Sequence, residues 1–195
     1  MAVTLTYTFD IIFVRSLVES VIFVVMYVML FLSSRHQPRA TKSDQVLKVS
    51  SIVGMALSGV RSFLPLMVCT TLEVACIVYS VFYVLIFYSH TLVGLGIPIF
   101  IIGERNYNTY GKTLSVSGVF WIVGSFGYII IFIFVRFSLG VFLPFGISWY
   151  LFIPAVILMI IHGAKFKDTF FSVAGVLFII SWLVYLIVPL FSVLF

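Results

Sequence analysis

Residues 11–33 form an apolar run that contains only two charged side chains, Arg15 and Glu19. About 20 apolar residues suffice for a helix to cross a bilayer, and the same kind of run recurs along the chain. Segments 49–69, 70–89, 114–136, 139–161 and 170–195 all read as spans. They leave no stretch long enough for a soluble domain. Composition agrees: 63% of residues are hydrophobic and 9% charged, whereas soluble domains carry about 25% charged residues. The expected fold is therefore an all-α, polytopic membrane bundle of one domain covering 1–195, with six transmembrane helices favoured and seven possible.

The connections fix the expected orientation. Basic residues collect in 34–48 (Arg35, Arg39, Lys42, Lys48), 104–113 (Arg105, Lys112) and 163–168 (Lys165, Lys167). Six spans put all three connections on one side, which the positive-inside rule assigns to the cytoplasm. The net charge of +5 then reflects topology, and no nucleic-acid partner is implied. Residues 90–103, "HTLVGLGIPIFIIG", are too short to span and are broken by Gly94, Gly96 and Pro98. They read as an interfacial or re-entrant piece, or alternatively as a kinked extension of the third span. The N-terminal "MAVTLTYTFD" lacks the basic stretch of a cleaved leader, so the first run is expected to be retained.

Charge inside a span is expensive, at least about 2.5–3.5 kcal/mol for a lone group at mid-membrane. Arg15, Glu19, Arg61, Glu73 and Arg136 are thus expected to form an intramembrane polar cluster. Depth along the helices allows Glu19 with Arg61 and Arg15 with Glu73. The pair Arg15–Glu19, four apart on one helix, is open too, though with the weaker order of charges. Ser50, Gly54 and Ser58 recur every fourth residue and form a small-residue ridge suited to close helix packing.

Catalytic and cofactor patterns are not found. His36, His90 and His162 fall in a basic loop, at a helix break and at a span end, a distribution that suits neither haem nor a metal. All five lysines fall in connections, which argues against a retinal Schiff base. Cys69 and Cys76 are seven apart, about 10 Å on a helix, too far for a disulfide. No Gly-x-Ser-x-Gly, His-Glu-x-x-His or P-loop pattern occurs. The expectation is a protein without cofactor that is not an enzyme. Its partners would be the lipid bilayer and either other membrane subunits or further copies of itself. The leading functional expectation is a non-catalytic subunit or scaffold of a membrane assembly. The alternative is a small channel or transporter for an ion or small polar solute, using a polar cavity in the outer leaflet.

Overall fold

The computed structural model describes the backbone of residues 2–36, 42–68, 85–86, 88–106, 111–139 and 146–194. Side chains are described over 14–35, 45–60, 85–86, 88–106, 111–134, 150–184 and 187. The described elements are helical, in the order α1 (Ala2–His36), α2 (Lys42–Val68), a π-helical turn (Leu92–Gly96) that runs directly into α3 (Ile97–Arg105), α4 (Lys112–Leu139), α5 (Gly146–Lys165) and α6 (Thr169–Leu194). Two described stretches, Val14–Arg35 and Lys112–Phe134, are long and apolar enough to cross a membrane, and shorter apolar stretches lie in α2, α5 and α6.

These elements close into a ring. α1 packs on α2, α2 on the π turn and α3, α3 on α4, α4 on α5, α5 on α6, and α6 returns to α1. The contacts run in opposite order along each neighbouring pair, so neighbours are antiparallel. On α1 and α2, Tyr27 meets Gly54 while Phe31 meets Lys48. On α4 and α5, Thr113 meets His162 and Ser117 meets Ala155. On α6 and α1, Phe178 meets Phe23 and Asp168 meets Ser33. An even number of antiparallel elements is what lets the first and last lie side by side.

Both faces of the helices are rich in apolar residues, but in different ways. The outward stripe of α1 is Val14, Leu17, Val18, Val21, Val25 and Val28, all exposed. The outward residues of α4 and α6 are likewise Val, Ile, Leu and Phe. The inward stripe of α1 is Ser16, Glu19, Ser20, Phe23, Met26, Tyr27, Leu30 and Ser33, all buried. Polar groups therefore sit inside and aliphatic groups outside, the reverse of a soluble bundle. Aromatic packing fills the middle of the ring: Trp121 lies 4.8 Å from Phe152 and 4.6 Å from Phe178, centroid to centroid, and Tyr88 stacks on Tyr128 at 4.5 Å.

Residues 90–103, for which the sequence left an interfacial or re-entrant piece and a kinked extension of the third span both open, are helical and form part of the ring wall, with His90, Thr91, Leu95 and Ile99 fully buried. The π turn precedes Pro98, which lacks an N–H and whose ring crowds the carbonyl four residues back, that of Gly94. The widened turn relieves that crowding, and the Ile97 N–H reaches the Leu92 carbonyl instead. The first basic connection is also shorter than 34–48. α1 runs to His36 and α2 begins at Lys42, so Lys48 lies on a helix, exposed, with its ammonium 5.8 Å from the Phe31 ring. Finally, Lys112 opens α4 and does not lie in a loop.

Candidate functional site

At one end of the ring the polar groups are tied together. Asp168 begins α6 as its cap: Oδ1 accepts the Phe171 N–H at 3.0 Å, and Oδ2 accepts the Ser33 hydroxyl at 2.6 Å. The Thr113 hydroxyl and His162 Nδ1 are 3.1 Å apart, and Ser115 donates to Glu104. These bonds bring the ends of α1, α3 and α5 and the starts of α4 and α6 together. Arg35, Lys48, Arg105, Lys112, Lys165 and Lys167 all belong to this basic end. A tight turn, Phe166–Asp168, joins α5 to α6, with Lys167 in the left-handed region at φ 57°.

The middle of the ring holds further polar pairs. The Tyr27 hydroxyl lies 3.0 Å from His90 Nδ1 and donates to the His90 carbonyl at 2.8 Å. A hydroxyl has a single proton and a carbonyl can only accept. The proton of Tyr27 is thus committed to the carbonyl, so Nδ1 must carry hydrogen and donate to the tyrosine oxygen. Glycines make this approach possible. A Cβ at Gly54 would strike the Tyr27 ring, and one at Gly94 would strike its hydroxyl. Nearby, Thr91 donates to the Tyr88 carbonyl at 3.0 Å and lies 2.8 Å from the Ser125 hydroxyl.

The half of the ring away from the basic end is different. Glu19 is 2% exposed, and Arg15 Nε donates to its Oε1 at 3.0 Å. Ser16 and Ser20 flank Glu19 on the inward stripe, and Ser58 of α2 is fully buried. The hydroxyls of these three serines have no hydrogen-bond partner among the described residues, and neither does the indole N–H of Trp121. Buried hydroxyls elsewhere are satisfied. Ser50 and Ser51 donate to the Leu47 carbonyl, Ser117 to Ala155 and Ser181 to Phe178. An unsatisfied buried polar group costs about 1–3 kcal/mol, so three such hydroxyls, two of them flanking a buried carboxylate, mark a place where water or a ligand belongs.

Of the five charged residues expected to cluster, Arg15 and Glu19 are brought together within α1. The side chains of Arg61 and Arg136, and the whole of Glu73, lie outside the described residues. The α1–α2 register brings position 61 level with Ser20. On the ridge, Ser50, Gly54 and Ser58 all face inward, with Gly54 against Tyr27. Sequence reasoning missed Tyr27, His90, Ser16 and Ser20. The available signal was the spacing of Ser16, Ser20, Phe23 and Tyr27 on the same helical face as Glu19. Comparison with family models, curated proteins and solved structures gives no match, so the site stands on its own geometry.

Proposed function

We propose that the chain is a multi-pass integral membrane protein of six crossings that passes or binds an ion or small polar solute through its interior. The basic end lies on the cytoplasmic side, and the half holding Glu19 forms the outer polar cavity. One observation carries this reading. Glu19 points into the ring, on a stripe with Ser16 and Ser20, whose hydroxyls lack protein partners. An ionisable group inside a membrane body, facing the bundle interior, is a functional site by default. The apolar exterior supports the membrane setting, and the joining of the basic connections at one end supports six crossings and the positive-inside orientation.

A second reading, a non-catalytic subunit or scaffold of a larger membrane assembly, is favoured by a shallow apolar groove between α5 and α6. It is lined by Phe152, Ile153, Val156, Phe178, Ile179 and Trp182, and such a groove suits a neighbouring helix. Two features that could otherwise dock a partner are used internally: the Ser50–Gly54–Ser58 ridge packs inside the ring, and the Arg15–Glu19 pair sits on the inward side of α1. The conduit reading therefore ranks first.

Cysteines at Ser16 and Ser20, in a chain with Cys69 and Cys76 changed to alanine, test the choice. Reaction with a charged, membrane-impermeant thiol reagent from the outer side is expected. Silence at both positions, together with partners recovered in fixed ratio after mild solubilisation, would replace the conduit with the subunit.

A further inference from the structure

We infer that the polar interior ends in a proton-binding site at His90, held by Tyr27 and filled from the outer face by way of Glu19. This rests on the outer-cavity reading above and names its ligand.

The ring geometry of His90 selects the atom. Nδ1 is committed as a donor to Tyr27, because the tyrosine proton is already given to the His90 carbonyl. The variable proton therefore belongs on Nε2. Binding converts a neutral imidazole to imidazolium and leaves the Nδ1–H···O bond to Tyr27 intact. No bond other than N–H forms, and the proton comes from water at the outer face. Histidine is the side chain whose ordinary range makes this exchange accessible near neutral pH.

The path follows from burial and register. Ser16, Glu19, Ser20, Phe23 and Tyr27 lie on one buried stripe of α1, and from Ser16 to Tyr27 the rise is about 16 Å. Ser58 comes level with Phe23 across the α1–α2 contact, and the Phe23 and His90 rings are 4.7 Å apart. Ser16, Ser20 and Ser58 are fully or nearly buried hydroxyls without protein partners among the described residues. A hydroxyl both donates and accepts, so these groups, bridged by water, relay a proton without an open bore.

A metal cation is disfavoured because Arg15 already supplies the positive charge at Glu19. A larger solute is disfavoured because Phe23, Trp121 and Phe178 fill the space beside His90. Toward the basic end, Leu30, Leu95 and Ile99 are fully buried, and the buried hydroxyls of Ser51 and Ser117 are given to the Leu47 and Ala155 carbonyls, so among the described residues the unpartnered hydroxyls lie on the outer side of His90.

Among the described residues, few groups around His90 can titrate. Tyr27 faces it from α1, with Glu19 about two turns and Arg15 about three turns further out on the same helix. Tyr88 lies on its own element and stacks on Tyr128 of α4. α2 contributes Gly54 and Ser58 near Tyr27 and Phe23, and α6 contributes Phe178; none of these is ionisable.

The full chain, with ring-15N histidine and with His36 and His162 changed to glutamine so that His90 alone reports, is placed in oriented vesicles. External pH is stepped between about 8 and 5. The expected spectrum shows the Nδ1–H tautomer at the upper pH and imidazolium at the lower, responding to the outer buffer. Glu19→Gln should slow that response by at least about tenfold in a chain that still folds, and Tyr27→Phe should release the tautomer. A His90 spectrum that ignores external pH, follows only internal pH, or responds equally fast in Glu19→Gln would overturn the assignment. Thiol labelling at Ser16→Cys and Ser20→Cys separates the two ideas. Labelling with a silent His90 ends the proton site and leaves the outer cavity; no labelling ends both.

Discussion

Ser20 and Ser33 lie on the same helix and the same inward stripe, and both are buried, at 3% and 2% exposure. Their surroundings are opposite. Ser33 donates to Asp168, which also caps α6 through the Phe171 N–H. Ser20 has no partner among the described residues, and Ser16 and Ser58 share that condition. The basic end is thus a closed polar network that joins helix termini, where backbone donors and acceptors are free to be matched. The opposite half presents side-chain hydroxyls between continuous helices whose backbones are already satisfied. The first kind of polar group holds the ring together. The second has no structural work visible in the protein, and so points to water or a ligand.

The two halves meet at Tyr27, and the largest predicted effect is there. Gly94→Leu would drive a side chain into the Tyr27 hydroxyl within a filled ring. Overpacking costs about 1–3 kcal/mol or more, and loss of the monodisperse, folded protein on size-exclusion chromatography is expected. A folded Gly94→Leu chain would mean that Tyr27 does not occupy the centre.

Next comes the basic end. Asp168→Ala removes a helix cap, typically about 1 kcal/mol, and a hydrogen bond to a charged group, about 1.5–3 kcal/mol. A clear fall in thermal midpoint in detergent is expected, with Asp168→Asn retaining part of it. Ser33→Ala removes only the second bond and should fall between them and the wild type.

The sharpest contrast is Ser20→Ala or Ser58→Ala. Removing a hydroxyl that has no protein partner should leave the midpoint unchanged or slightly raised, within about 0.5 kcal/mol. If Ser20→Ala destabilises as much as Ser33→Ala, the division between the halves fails. A modest gain is expected at Lys167. It holds a left-handed backbone at a helix end, where glycine carries no steric penalty, and Lys167→Gly should raise the midpoint by the equivalent of about 0.5–1 kcal/mol. An unchanged or lowered midpoint would show that the lysine side chain, not the turn, matters at that corner.

Much of the helical content was legible from the chain. Apolar runs bounded by basic connections gave helices close to α1, α4, α5 and α6, because run length and charge placement are local properties. Helix limits were less legible. α2 begins at Lys42, ahead of the expected Val49, since charged residues extend a helix beyond its apolar part as readily as they end it. The glycines and proline of 94–98 read as a break. In the ring they are a π turn whose missing Cβ atoms let Tyr27 and Trp121 approach, a role that exists only once the partners are present.

The sequence by itself determined an apolar, helix-forming chain with most of its charge in short connections and a few charged residues, Glu19 among them, within its apolar runs. Composition and spacing carry that information residue by residue. Which polar groups find partners was decided by the tertiary structure, because a hydrogen bond spans elements far apart in the chain: Tyr27 with His90, Ser33 with Asp168, Thr113 with His162. The unpartnered set around Glu19 is the remainder of that pairing, and it becomes visible only when every other buried hydroxyl has been placed.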